Sequence, residues 1–315
     1  MTRRPTDVAA SAFSRLKALT RSTGQDFNLT LTRFAGERFL YRLSRSQHAG
    51  SFMLKGATLF VVWEEEPHRP TRDIDLLGFG EDSAKRLREV FSEVCEEPVE
   101  DDGVEFLAES VTVSDIREGQ TYQGKRVQVD GLLGTAKLRV QIDVGFGDAV
   151  GGRQGEAVLP TLLDSPAPRL RAYPVEAVIS EKLHAMAEHG MLNSRMKDIY
   201  DVLILSQRLA FEGTALTKAL RMTFERRGSQ VNLASLAPLS PAFSADATAQ
   251  TRWRAFLTRN RLAVIDLADA CHGLRLFLIE PMVALERGET FKLRWAPGGP
   301  WTDRSGGIVT YEVED

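Results

Sequence analysis

In the run Arg69-Pro70-Thr71-Arg72-Asp73-Ile74-Asp75-Leu76-Leu77, two carboxylates stand two residues apart among apolar neighbours. Strand alternation puts Asp73 and Asp75 on one face, with Ile74 and Leu76 on the other. Two carboxylates aimed the same way repel each other. A hard divalent cation resolves the conflict, because Mg²⁺ takes oxygen ligands and bridges carboxylates to substrate phosphates. An Asp-x-Asp pair at a strand edge is equally at home as a solvated pair, so its context has to decide. Asp143 is a candidate third ligand: it lies in 136–146, where Leu138, Val140, Ile142 and Val144 alternate with Lys137, Arg139, Gln141 and Asp143. If the two strands are neighbours, a third carboxylate allows two metals, one activating an attacking hydroxyl and one steadying a leaving pyrophosphate.

Two further groups of residues fit phosphate chemistry. Lys55-Gly56-Ala57-Thr58 reads as a turn from a strand into a helix, presenting backbone N–H groups and a lysine charge to an anion. It is not a Walker A loop, which needs GxxxxGK followed by Ser or Thr. Lys182 lies on an apolar helix beside Val178, Ile179 and Met186, and Asp198 and Asp201 are one turn apart on the next helix. These three side chains either meet as a buried ion pair at a helix crossing, or Lys182 holds a phosphate while Asp198 orients it or a nucleophile. Other chemistries find little support. The five histidines, His48, His68, His184, His189 and His272, have no ligand spacing, and no Gly-x-Ser-x-Gly elbow is present. Trp63, Trp253, Trp295 and Trp301 are open to base stacking or to core packing.

The elements that must position these residues follow from periodicity. Residues 5–46 have apolar residues at helical spacing, broken at Gly24, and carry Arg15, Lys17, Arg21, Arg33, Arg38, Arg42 and Arg45, for which a solvated helix surface is the ordinary explanation and a nucleic-acid or phosphate role the alternative. From Phe52 the pattern becomes mixed: a short strand, a helix from near Gly56, a strand over 73–79, a helix in 83–95, and strands over 104–113, 125–131 and 136–146. Beyond Pro160, Pro166 and Pro168 the pattern is helical again. The expected division is a helical lead-in over 1–49, a mixed α/β core over 50–168, a helical domain over 169–288 and an irregular tail over 289–315, with 229–245 as a loop.

The bulk properties fit this plan. The chain has 315 residues, 43% of them hydrophobic, enough for two domains of ordinary size or one large one with a real core. Its two cysteines, Cys95 and Cys271, make no disulfide framework and no zinc motif, which suits a reducing compartment. The absence of a signal-like apolar run or a membrane-length segment gives the expectation of a cytoplasmic protein with no membrane partner. A net charge of −3 argues against indiscriminate nucleic-acid binding but leaves room for a local basic face.

Taken in order, Leu54-Lys55-Gly56-Ala57-Thr58, Arg69-x-x-Arg72-Asp73-Ile74-Asp75, Ile142-Asp143-Val144, Glu181-Lys182-Leu183 and Lys197-Asp198-Ile199-Tyr200-Asp201 resemble the AbiEii/AbiGii-type nucleotidyltransferase toxins, a group that includes the mycobacterial MenT toxins. The resemblance covers about residues 50–205. It implies a polymerase-β-like nucleotidyltransferase core followed by a helical C-terminal domain. It also implies a toxin of a type IV toxin–antitoxin or abortive-infection system, with an AbiEi-like antitoxin encoded nearby. Position by position, it implies Mg²⁺ (Mn²⁺ as an alternative) on Asp73 and Asp75, phosphate contact by Lys182, and a catalytic acidic role for Asp198. Thr71 takes the hydroxyl position two residues before the first aspartate, with Asp201 and Lys197 in support. Gly56-Ala57 departs from the Gly-Ser that opens this site in much of the polymerase-β superfamily. Lys-Gly-Ala is at home in the AbiEii branch.

The leading expectation is attack by an RNA 3′-hydroxyl, foremost the tRNA acceptor end, on the α-phosphate of an NTP, with Lys55, Arg69, Arg72 and Lys182 gripping phosphates. Basic helices, including Arg221, Arg226, Arg227, Arg252, Arg254, Arg259 and Arg261, would contact the RNA backbone. The alternatives are transfer to a protein or small-molecule hydroxyl, and a non-catalytic nucleotide-binding component of a phage-defence complex.

Overall fold

The structure is a computed structural model that describes residues 7–64, 68–69, 71–116, 124–148, 150, 155–230 and 232–303. Its contacts divide the chain into two compact units, one of 1–148 with 154–173 and one of 149–153 with 174–315.

The first unit begins with two helices, α1 (Val8–Thr23) and α2 (Phe27–Arg45). Asp7 and Asp26 cap them by accepting from the backbone N–H of Ala10 and Leu29, and Gly24 ends α1 in the left-handed conformation, with φ +68°. There follow β1 (Phe52–Lys55), a 3₁₀ turn over Gly56–Leu59, the one-turn α3 (Phe60–Trp63), β2 (Ile74–Gly78) and α4 (Ala84–Cys95), capped by Ser83. The expected helix after Gly56 is thus short, and the strand begins one residue after Asp73.

The unit continues with β3 (Val104–Phe106), β4 (Thr112–Ile116), β5 (Gly124–Leu133), β6 (Ala136–Phe146), β7 (Gly155–Val158) and β8 (Arg169–Ala172). The single strand expected over 104–113 is broken in two. A 3₁₀ turn at Ala108–Ser110 interrupts it, and the Ser110 hydroxyl takes over a ladder bond by accepting from the Asp130 N–H at 2.9 Å. Among the described residues these strands form one mixed sheet in the order β3-β5-β6-β2-β1-β8-β7, with β4 beside β5.

α2 lies against one face of this sheet, over β6, and Ile74, Leu76, Ile142 and Val144 are buried. Not all of the basic charge on α2 is a solvated face, contrary to the plain reading of the sequence. Arg42 is buried, pairs with Asp102 at 2.8 Å and donates to the Val104 carbonyl, anchoring the start of β3. Arg38 is fully buried and donates to the Pro166 carbonyl, while Glu37 accepts from the Leu162 N–H. These two bonds clamp the segment that leads into β8, the parallel neighbour of β1.

The second unit contains α5 (Val175–His189), α6 (Met196–Arg208), β9 (Phe211–Glu212), α7 (Gly213–Arg226), α8 (Pro241–Ala245), α9 (Ala247–Asn260) and α10 (Leu267–Glu286). The segment 229–245, expected to be a loop, holds two 3₁₀ turns and α8. Part of the tail expected to be irregular forms strands: β10 (Arg294–Trp295) pairs with both β9 and β11 (Trp301–Thr302) in a small antiparallel sheet. Trp253, Trp295 and Trp301 are core residues, each at most 3% exposed. The tail tryptophans also have a polar task. Pro281 inside α10 has no N–H for the Phe277 carbonyl one turn back, and the Trp301 indole N–H donates to that carbonyl at 2.9 Å. Trp295 likewise donates to the Ser206 carbonyl near the end of α6. Among the described residues, no helix is long and apolar enough to cross a membrane.

Candidate functional site

Register brings four charged residues into one row. Lys55 on β1 is opposite Asp75 on β2, Asp75 is opposite Asp143 on the parallel β6, and Asp143 is opposite Arg126 on β5. Partners in register share a face of the sheet, so the row runs cation, carboxylate, carboxylate, cation on one side. Residues at odd steps from it, such as Ile74, Leu76, Ile142 and Val144, are in the core. Asp73 lies in the bend before β2 and is exposed. The hydroxyls of Thr58 and Thr71 donate to its carbonyl at 3.2 and 3.4 Å, fixing the approach to the strand.

Gly56 explains why the motif needs a glycine. Its φ is +68°, and a Cβ at that position would overlap the Asp75 carboxylate. The chain therefore passes directly over the carboxylate, which no L-residue with a side chain permits without displacing it. Ala57 is buried, so the position where a serine would stand in other branches packs into the core.

Both cations of the row have carboxylate partners. The Lys55 Nζ lies 2.6 Å from Asp148 Oδ2, with side chains 15% and 7% exposed, and 5.6 Å from the centre of the Tyr173 ring. Arg126 donates through Nε to Asp143 Oδ1 and through Nη2 to Asp143 Oδ2, each at 2.8 Å. Arg69 lies over the Phe60 ring at 5.4 Å, and Arg72 is exposed. Asp148 and Arg126 were not legible as site residues. Arg126 had a signal: β5 and β6 are joined by the two-residue turn Gly134-Thr135, and counting outward from Leu133 opposite Ala136 places Arg126 opposite Asp143. Asp148 had none, because it reaches Lys55 from beyond the end of its strand.

The donor set suits a hard cation. Asp75 and Asp143 are in register on adjacent strands, and Asp73 precedes Asp75 by two residues. Among the described residues, however, no three His, Cys, Asp or Glu side chains are grouped to hold a metal by themselves.

The second unit has its own cluster. Lys182 on α5 donates to Asp198 Oδ1 at 2.8 Å and Asp201 Oδ2 at 2.7 Å, both on α6. Arg195 donates to the other oxygen of Asp198 at 2.6 Å. Asp198 and Asp201 are at most 1% exposed. Burial alone pushes the Asp198 carboxyl up, but the Lys182 ammonium and the Arg195 guanidinium outweigh it and hold the carboxyl below its ordinary value. The ion pair at a helix crossing is therefore what the side chains form. Lys197, beside Asp198, is exposed. Two residues further along α5, His184 contacts the Ser229 hydroxyl at 2.9 Å and Arg227 at 3.2 Å, and burial together with the Arg227 charge lowers its pKa to about 4. The thiols of Cys95 and Cys271 are pushed up to about 12 by burial and are poor nucleophiles.

The model of the family described as nucleotidyl transferase AbiEii toxin, type IV TA system, matches residues 38–273. The chain belongs to that family. It is accordingly a nucleotidyltransferase toxin with the mixed-sheet α/β architecture of polymerase-β-like enzymes, and membership implies an NTP substrate and an antitoxin partner. Nucleotidyltransferases of this kind generally work with a divalent metal. Two crystal structures from Helicobacter pylori are similar in fold. JHP933 is 14% identical, with a TM-score of 0.45, over 84% of this chain and 95% of that one. A protein studied as a candidate nucleotidyltransferase is 13% identical, with a TM-score of 0.44, over 84% and 99%. No curated protein matches the chain.

Proposed function

We propose that this AbiEii-family enzyme transfers a nucleoside monophosphate from an NTP to an RNA 3′-hydroxyl, the tRNA acceptor end being the acceptor, and so blocks translation. The observation that carries the site is the row of Lys55, Asp75, Asp143 and Arg126 across four adjacent strands, with Gly56 clearing space over Asp75. In this reading Asp73 and Asp75, joined by Asp143, hold Mg²⁺. When bound, the cation neutralises the polyphosphate and favours the attacking hydroxyl in its deprotonated form.

The chain's own residues do the rest. The N–H groups of the turn Gly56–Leu59, together with Lys55, bind the phosphates, and Arg69 and Arg72 meet the same anion from the segment that carries Asp73. The Thr58 and Thr71 hydroxyls donate to the Asp73 carbonyl and so hold the backbone that carries its carboxylate. In the helical unit, the roles implied by the resemblance are phosphate contact for Lys182, with Asp198 orienting it and Asp201 and Lys197 in support. Arg252, Arg254, Arg259 and Arg261 are exposed on and just after α9 and suit contacts to an RNA backbone. The upstream or downstream gene would encode the AbiEi-like antitoxin.

The test is transfer of label from each α-labelled NTP, with Mg²⁺ and total RNA, by the wild type and by Asp73→Ala. Label on tRNA that falls about a hundredfold or more in the variant is expected, as for loss of a group that stabilises developing charge. Label on protein would move the acceptor, and equal transfer by Asp73→Ala would overturn the site.

A further inference from the structure

Each outer cation of the row has a carboxylate partner: Lys55 has Asp148, and Arg126 has Asp143, one of the two central carboxylates. The fork of Arg126 engages both Asp143 oxygens, each at 2.8 Å. That contact occupies the oxygens a cation would use, and it keeps Asp143 from repelling Asp75 in register beside it. The pair is also free to separate: its side chains are 37% and 21% exposed, so neither charge is stranded in a dry interior when the other leaves. A guanidinium fork fits phosphate as well as it fits carboxylate. A nucleoside triphosphate arriving with its cation therefore offers both members a new partner at once, phosphate for Arg126 and metal for Asp143. We infer that Arg126 is a polyphosphate-binding residue that occupies Asp143 in the resting site and yields it when the nucleotide–metal complex arrives.

This inference rests on the site proposed above and extends it to the order in which the site is loaded. The metal and the nucleotide then bind cooperatively, because each removes the partner that restrains the other. Without nucleotide the intact site binds metal weakly.

The experiment measures Mn²⁺ binding by loss of the free-ion EPR signal, with and without an NTP analogue whose α–β bridge cannot be cleaved. It uses the wild type, Arg126→Gln, Arg126→Lys, and Arg126→Gln combined with Asp143→Asn. Without the analogue, Arg126→Gln should bind Mn²⁺ about three- to tenfold more tightly than the wild type, the range of a part-exposed bidentate pair, and Asp143→Asn should cancel the gain. With Mn²⁺ present, Arg126→Gln should bind the analogue about tenfold more weakly, and Arg126→Lys should fall between the two in both measurements. Should Arg126→Gln fail to fold, Arg126→Lys gives the same signs. Unchanged or weaker Mn²⁺ binding in a folded Arg126 variant overturns the inference alone. A folded wild type that binds neither Mn²⁺ nor the analogue overturns the site as well.

Discussion

The charged row on the sheet and the charged cluster on α5 and α6 are built on opposite principles. The row on the sheet is part-exposed, with each charge placed by strand register and both cations in contact with carboxylates. The cluster on α5 and α6 is almost wholly buried, with one lysine gripped by two aspartates and one of these gripped again by Arg195. Register costs little to maintain when a side chain changes, because the backbone ladder sets it. A buried ion network is different: removing a member strands the others in a medium that cannot solvate them. Loss of transfer in a sheet variant therefore reports on chemistry, while loss in a helix variant mixes chemistry with folding.

The sharpest way to expose this difference is Asp201→Ala, which leaves the Lys182 ammonium, 12% exposed, with one carboxylate fewer. A loss of about 3–5 kcal/mol is expected in urea denaturation, against at most about 0.5 kcal/mol for Asp73→Ala at its exposed bend. A compensated double variant then separates folding from function. Lys182→Met with Asp201→Leu should recover much of the lost stability, since apolar residues of similar volume commonly replace buried ion pairs without cost. If Lys182 touches the nucleotide, transfer stays lost in that refolded background. Equal stability of Asp201→Ala and Asp73→Ala would break the comparison.

Gly56→Ala tests the sheet side from the opposite direction, through backbone instead of charge. The added Cβ meets the Asp75 carboxylate, and the residue is held at φ +68°. A cost of about 1–3 kcal/mol is expected from the left-handed backbone and the clash. Transfer should fall nearly as far as in Asp73→Ala, measured by the same labelled-NTP assay. A fully active Gly56→Ala would show that the close passage over Asp75 is incidental.

The helical unit should also carry its own pH dependence. His184 has a folded-state pKa of about 4 because burial, then Arg227, disfavour its charged form, whereas the unfolded chain takes up that proton near its ordinary value of 6.5. A depressed pKa contributes stability that is present above the unfolded value and lost as pH falls toward the folded one. Asp198, lowered by Lys182 and Arg195, loses its contribution only at still lower pH, below the ordinary carboxylate value of 3.8. Glu280 on α10, pushed up to about 7 by burial, acts in the opposite sense over the same range, so the readout is a difference: between about pH 6.5 and 4 the thermal midpoint of His184→Phe should fall less, or rise more, than that of the wild type. A slope unchanged in His184→Phe would assign it to other groups.

How much of this was legible follows the same division. Local periodicity located α1, α2, α4, β5 and β6, and the Asp-x-Asp and Lys-Gly signatures marked Asp73, Asp75 and Lys55, because each is written in neighbouring residues. The row itself was not, since the match of Asp75 to Asp143 is a parallel pairing between segments far apart in the chain. Ion partners were missed for the same reason: Asp148 on Lys55 and Asp102 on Arg42 depend on tertiary placement. Arg38 and Arg42 show the converse error, for a basic helix looks like a solvated surface until its partners are known.

The tail offers the smallest and most local test, and it was misread because its signal is a pair of tryptophans and not a periodic run. Pro281 in α10 leaves the Phe277 carbonyl without its usual donor one turn on, and the Trp301 indole supplies one at 2.9 Å from a strand 24 residues away in sequence. Trp301 also stacks on the Phe277 ring, at 5.8 Å between centroids and 4° between planes. Trp301→Phe keeps most of the ring contact and removes only the N–H, leaving a buried carbonyl unpaired. The expected cost is about 1–3 kcal/mol by chemical denaturation, with no change in transfer per folded molecule. Adding Pro281→Ala should return most of it, because the restored N–H of residue 281 takes the carbonyl back into the helix ladder. Additive losses in that double variant would mean that the tryptophan and the proline act on separate parts of the fold.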